Sequence, residues 1–116
     1  MPCSLTPDPA GIRDFLVAPA AQVTMFADSD SGTVQIVAAT LNSTAQQVDD
    51  TGNVTWTAAT GINLLDLAFA GSDPDEVFRI KEDCGGGNSQ ILTTWKLQAG
   101  GGFPGGPTRA FRIHAA

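Results

Sequence analysis

From residue 21 onward the apolar positions recur every second residue rather than every third or fourth. Val23 and Met25 alternate with Thr24 and Phe26, and Val34, Ile36 and Ala38 alternate with Gln35, Val37 and Ala39. A period of two places one set of side chains on one face of an extended backbone, so these runs are strands. Further strands are legible at residues 54–58, 62–70, 77–82, 90–98 and 109–114, about seven in all. No run of helical period is long enough to cross between parallel strands, so the pairing expected is antiparallel.

A chain of 116 residues closes one modest core and leaves little room for separate catalytic and binding domains. The expectation is a single all-β domain over residues 1–116, an antiparallel β-sandwich. The strand spacing is loosely similar to that of immunoglobulin-like and jelly-roll modules, although no stretch carries a family motif. Residues 21–116 form the sandwich, and residues 1–20 form an N-terminal arm or one short helix. Asp8 and Pro9 ahead of Ile12, Phe15 and Leu16 suit a helix start. Gly11 opposes it, and Phe15-Leu16-Val17 suits an edge strand equally well.

Asp28-Ser29-Asp30-Ser31-Gly32 and Asp49-Asp50-Thr51-Gly52 are turn formers and read as hairpin connections. In residues 62–70, Leu65, Leu67 and Phe69 share one face while Ile62, Leu64 and Ala68 share the other, which predicts a central strand buried on both faces. Eight of the 13 glycines fall in Gly85–Gly87, Gly100–Gly102 and Gly105-Gly106, loops on either side of the 90–98 strand.

The net charge of −6 repels phosphate backbones, so nucleic acid is not an expected partner. Every acid lies at or before Asp83, leaving the last 32 residues with Lys96, Arg109 and Arg112 as their only formal charges. Those cations are expected to pair with acidic neighbours, inside the chain or across a subunit contact. No stretch reaches the roughly 18 apolar residues of a spanning helix, so no membrane insertion is expected. Cys3 and Cys84 are too few for a cysteine-rich zinc site and read as free thiols. The N-terminus has neither a basic region nor an apolar run of signal-peptide type, which suggests a cytoplasmic origin, or an extracellular or virion one if a leader was removed.

The candidate metal ligands are Asp28, Asp30, Asp73 and Asp75. The EF-hand pattern fails because Gly32 stands at the fifth position, but a looser calcium site forms if these loops, or Asp49 and Asp50, converge at one end of a sandwich. Ser72-Asp73-Pro74-Asp75-Glu76 also fits the start of a helical turn. Trp56 and Trp95 are in phase with aliphatic neighbours and read as core: Trp56 aligns with Val54 and Ala58, Trp95 with Ile91 and Leu97. His114 is the sole imidazole, with Cys84 or Ser89 as its conceivable nucleophile. Asp66 interrupts an apolar strand and pairs on paper with Glu82 as a glycosidase couple, or with Arg79, Lys81 or Arg112 as an ion pair. No glycine run is followed by the residues a phosphate loop needs.

The function expected is a non-enzymatic binding or interaction module that presents loops or an edge strand to a protein partner or to a second copy of itself. The alternatives are a calcium-assisted carbohydrate-binding module, an architectural component of a phage or cell-surface assembly, and a small glycoside hydrolase. No cofactor is expected other than that calcium.

Overall fold

The computed structural model describes residues 3–11, 13–72, 76–96 and 109–116. It is all-β among these residues. The strands are β1 (Thr6–Pro7), β2 (Asp14–Val17), β3 (Gln22–Ser29), β4 (Gln35–Leu41), β5 (Thr44–Gln46), β6 (Val54–Thr57), β7 (Gly61–Ala70), β8 (Val77–Gly85), β9 (Asn88–Lys96) and β10 (Arg109–Ala115). They form a six-stranded sheet, β1-β2-β10-β7-β4-β5, and a four-stranded sheet, β6-β3-β8-β9. The two sheets pack against each other, an arrangement compatible with a β-sandwich.

Three short strands raise the count above the seven expected, since β1, β2 and β5 are too brief to show an alternation of their own. The helix expected in residues 1–20 is not formed in its described part. Asp8 instead caps a turn, its carboxylate accepting the Ala10 amide at 3.0 Å, while its own amide donates to the Asp14 carbonyl at 2.9 Å. β1 and β2 thereby become an antiparallel pair, and Phe15 and Val17 take the inward positions of β2. Ile12, which carried part of the helical stripe, lies outside the described residues.

The expectation of purely antiparallel pairing is corrected at one place. β2 and β10 run parallel, with Arg112 opposite Asp14 and Ala115 opposite Val17. A parallel pair needs a long crossover. Here the crossover is nearly the whole chain, since β2 is among the first strands and β10 is the last.

The acidic turn after β3 is not a hairpin either: β3 and β4 belong to different sheets, so residues 30–34 arch from one layer to the other. The Asp49 turn does reverse the chain locally. It links Val48 to Val54 in an antiparallel bridge, with Asp49 and Asn53 joined at 2.9 Å.

β7 is an interior strand, flanked by β10 and β4, but only one of its faces is covered throughout. Asn63, Leu65, Leu67 and Phe69 point into the core, whereas Ile62 and Leu64 remain 39% and 48% exposed. Two bulges explain where simple alternation fails. In β4 the register shifts between Ile36 and Ala38, so Val37 is looped out and Ala39, not Ala38, is buried. In β9 the register shifts opposite Ile80 and Lys81, so Leu92 becomes the extra residue and is buried, while Ile91 turns outward beside Lys81. Trp95 stays inward opposite Phe78, but it no longer shares a face with Ile91.

The core between the sheets contains Val23, Met25, Trp56, Leu65, Leu67, Phe69, Phe78, Ile80, Phe111 and Ile113, each almost wholly buried. Each such side chain contributes on the order of 1.5–3 kcal/mol relative to exposure. An aromatic chain runs through it: Phe15 to Phe111 at 5.8 Å, Phe111 to Trp95 at 5.3 Å, Trp95 to Phe69 at 5.6 Å and Phe69 to Phe78 at 4.8 Å. The Trp56 indole N–H is directed at the Met25 Sδ at 3.2 Å, so its one polar atom is satisfied inside the core.

Candidate functional site

The carboxylates proposed for calcium have cationic neighbours of their own. Asp28, on the outer face of β3, lies 2.9 Å from Lys81 Nζ and 3.4 Å from Arg79 Nε, and Asp30 lies 3.2 Å from Arg79. The Lys81 ammonium, followed by the Arg79 charge, holds the Asp28 carboxyl below its ordinary value of 3.8. Asp30 and then Asp28 raise the Arg79 guanidinium in return. A divalent ion at Asp28 and Asp30 would have to displace both cations. Asp73 and Asp75, the other half of that set, lie outside the described residues.

The remaining turn acids are bound to their own loops. Asp49 accepts the Asn53 amide, the Thr51 hydroxyl and the Thr51 amide, and these donors hold its carboxyl low. Glu76 accepts the Ser31 hydroxyl at 2.7 Å and the Ser31 amide at 3.0 Å, which lowers it likewise. It thereby ties the segment before β8 to the arch between β3 and β4.

Asp66 and Glu82 are not brought together. Asp66 lies opposite Ala110 and Thr40 on the outer face of the six-stranded sheet, while Glu82 points inward from the four-stranded sheet in phase with Phe78 and Ile80. A layer of packed side chains separates them. The ion pair expected for Asp66 is likewise not found among the described residues. Arg112 instead lies 3.9 Å from Asp14, so the C-terminal positive charge meets an acid within the chain. His114 stands on the exposed face of β10 between Leu16 and Ile62, in the sheet opposite to the one that carries Ser89.

Trp56 is buried and offers no stacking face. Trp95 is partly covered by its aromatic neighbours, with the Arg13 guanidinium 5.9 Å from its ring centre. A shallow depression of about 350 Å³ lies near that arginine, lined by Arg13, Asp14, Leu64, Ala110, Phe111 and Arg112.

The reading of two free thiols is overturned. Cys3 and Cys84 form a disulfide, with their Cα atoms 4.7 Å apart. Spacing along the chain concealed this, because the two stand 81 positions apart and only the fold brings the N-terminal arm back onto β8. Glu82, one inward position before Cys84, completes the attachment. Its carboxylate is 1% exposed and accepts the Ser4 amide at 2.8 Å, the Leu5 amide at 3.1 Å and the Gln90 side-chain amide at 2.8 Å. Gln90 also donates to the Leu5 carbonyl at 2.7 Å. The available signal for Glu82 was its phase: it continues the inward positions of Phe78 and Ile80.

Among the described residues the two sheets end on four edge strands that differ in kind. β1 is two residues long and contains Pro7, β5 is three residues long and β6 is four. β9 is nine residues long, and Lys96 at its end is its sole charge. On its outer face Ile91 is 58% exposed, the highest value among the large exposed hydrophobic side chains described. No family model, no curated protein and no solved structure matches the chain.

Proposed function

We propose that the protein is a non-enzymatic interaction module that associates through the edge of β9 left unpaired among the described residues, with a second copy of itself as partner. The observation that carries this reading is the contrast among the edges. Among the described residues three are kept short, one of them with a proline, as edges are when pairing is to be avoided; β9 has a blunting feature of its own in the bulge at Leu92, but it is long and nearly uncharged with an exposed isoleucine. Antiparallel pairing of β9 with its own copy would set Lys96 against Asn88 and leave no like charges opposed within the strand. The scattered positions of Asp66, Glu82, Ser89 and His114 favour binding over catalysis. The disulfide favours an oxidising setting, such as an extracellular or virion one, since such bonds persist there.

The test is light scattering after size exclusion over a range of concentration and salt. A dimer is expected, and it should tighten as salt screens the mutual repulsion of two chains of charge −6. Ile91→Glu keeps a favourable neighbour in Lys81, opposite it on β8, so the fold is retained while two acids are brought near each other across the pair. That variant is expected to be monomeric. A wild-type protein that stays monomeric at every concentration overturns the reading.

A further inference from the structure

Three properties meet at Glu82. It is almost fully buried, and none of the described Lys, Arg or His nitrogens lies within 4.0 Å of it. Its three hydrogen bonds place two donors on Oε1 and one on Oε2, which leaves Oε2 with acceptor capacity unused. A buried carboxylate oxygen with acceptor capacity to spare and no cationic neighbour among the described residues is free to take a metal bond. Beside it stand both cysteines, and one carboxylate oxygen and the two sulfurs all lie within 4.8 Å of one another.

We propose that Cys3, Glu82 and Cys84 form a redox-gated site for a thiophilic divalent cation of the zinc class. In the oxidised chain the sulfurs are bonded to each other and the site is closed. A thiol reductant opens it: the S–S bond breaks, two electrons and two protons pass to the cysteines, and the reductant leaves as its own disulfide. The metal then displaces the two thiol protons to solvent and forms two metal–sulfur bonds and one metal–oxygen bond, with water as fourth ligand. Two thiolates and a carboxylate carry three negative charges, so a divalent ion restores the single negative charge that the oxidised cluster bears. Reduction does not free Cys3, because the Ser4 and Leu5 amides stay on Glu82 and the buried Leu5 side chain and its carbonyl stay anchored. The ligands are therefore held close before the metal arrives.

The experiment titrates zinc into the full chain after reduction with a phosphine, with calorimetry for stoichiometry and alkylation for thiol protection; cobalt in place of zinc reports thiolate bonding by its absorption. The expected result is one zinc per chain, bound at least about 100-fold more tightly than by the oxidised chain, with both thiols protected from alkylation. Glu82→Gln is expected to weaken binding about 10-fold or more while still accepting a backbone amide. Binding by the reduced chain no tighter than by the oxidised chain overturns the site, and so does a cobalt complex without thiolate absorption. An unchanged affinity in Glu82→Gln overturns the carboxylate's place in it.

Discussion

At Glu82 one carboxylate accepts two backbone amides and one side-chain amide, so removing it orphans several donors at once, the Leu5 amide in a buried position. Glu82→Leu is expected to destabilise the fold by about 3 kcal/mol, more than the deletion of a single exposed hydrogen bond, because the buried Leu5 amide is left without an acceptor and the partly buried Ser4 and Gln90 amides lose theirs. Urea unfolding measures it, and a loss below about 1 kcal/mol would show that the N-terminal segment does not depend on this side chain. Its inward direction could be read from Phe78 and Ile80, four and two positions earlier. That it receives Ser4 and Leu5 could not, since contact across nearly 80 residues is set by where β8 lies in the sheet. Asp66 is the reverse case: its place in an apolar strand drew attention, yet it faces outward, where a carboxylate is no anomaly.

Among the elements, the turns hold the clearest strain. Leu41 and Thr44 are paired and joined by Asn42 and Ser43, both with positive φ, at 50° and 71°. Two-residue turns of this kind match the twist of the strands but favour glycine at the second position. Asn42 is fixed in place by its side-chain oxygen, which accepts the Leu64 amide at 2.8 Å. Ser43→Gly is therefore expected to stabilise the protein by about 0.5–1 kcal/mol, read as a raised melting temperature. A lowered melting temperature would mean that Ser43 contributes something its backbone angle does not show.

The arches respond to acid. Glu76, Asp28 and Asp49 are held below their ordinary values of 4.5, 3.8 and 3.8, so their contribution is complete above those values. It is lost as pH falls through the lowered values of the folded state, because the unfolded chain then binds more protons than the folded one. Melting temperature is expected to hold from neutrality to about pH 4.5 and to fall below it, with a shallower fall in Glu76→Gln. Equal slopes in the variant and the wild type would remove Glu76 from the linkage.

For the whole molecule, the disulfide closes a loop over a sequence separation of 81 residues. The chain-entropy account gives such a link about 4–5 kcal/mol. Urea unfolding with and without reductant, in metal-free buffer, is expected to show a loss of this order. A difference under about 1 kcal/mol would mean that closing this loop constrains the unfolded chain far less than its length implies.

Alternation by itself determined the all-β class and seven strand positions, because the period of side-chain direction is a property of the local backbone and needs no knowledge of neighbours. The tertiary structure decided the rest. Whether the acidic stretch after β3 becomes a hairpin or an arch depends on which sheet the next strand joins, and the same turn formers serve both. The bulges at Val37 and Leu92 reverse the parity of everything beyond them, and they arise from fitting two strands side by side rather than from either strand alone. The cysteine pair, the parallel match of β2 with β10 and the place of β9 at the end of its sheet among the described strands are relations between distant segments, which packing of the two sheets creates and no local pattern records.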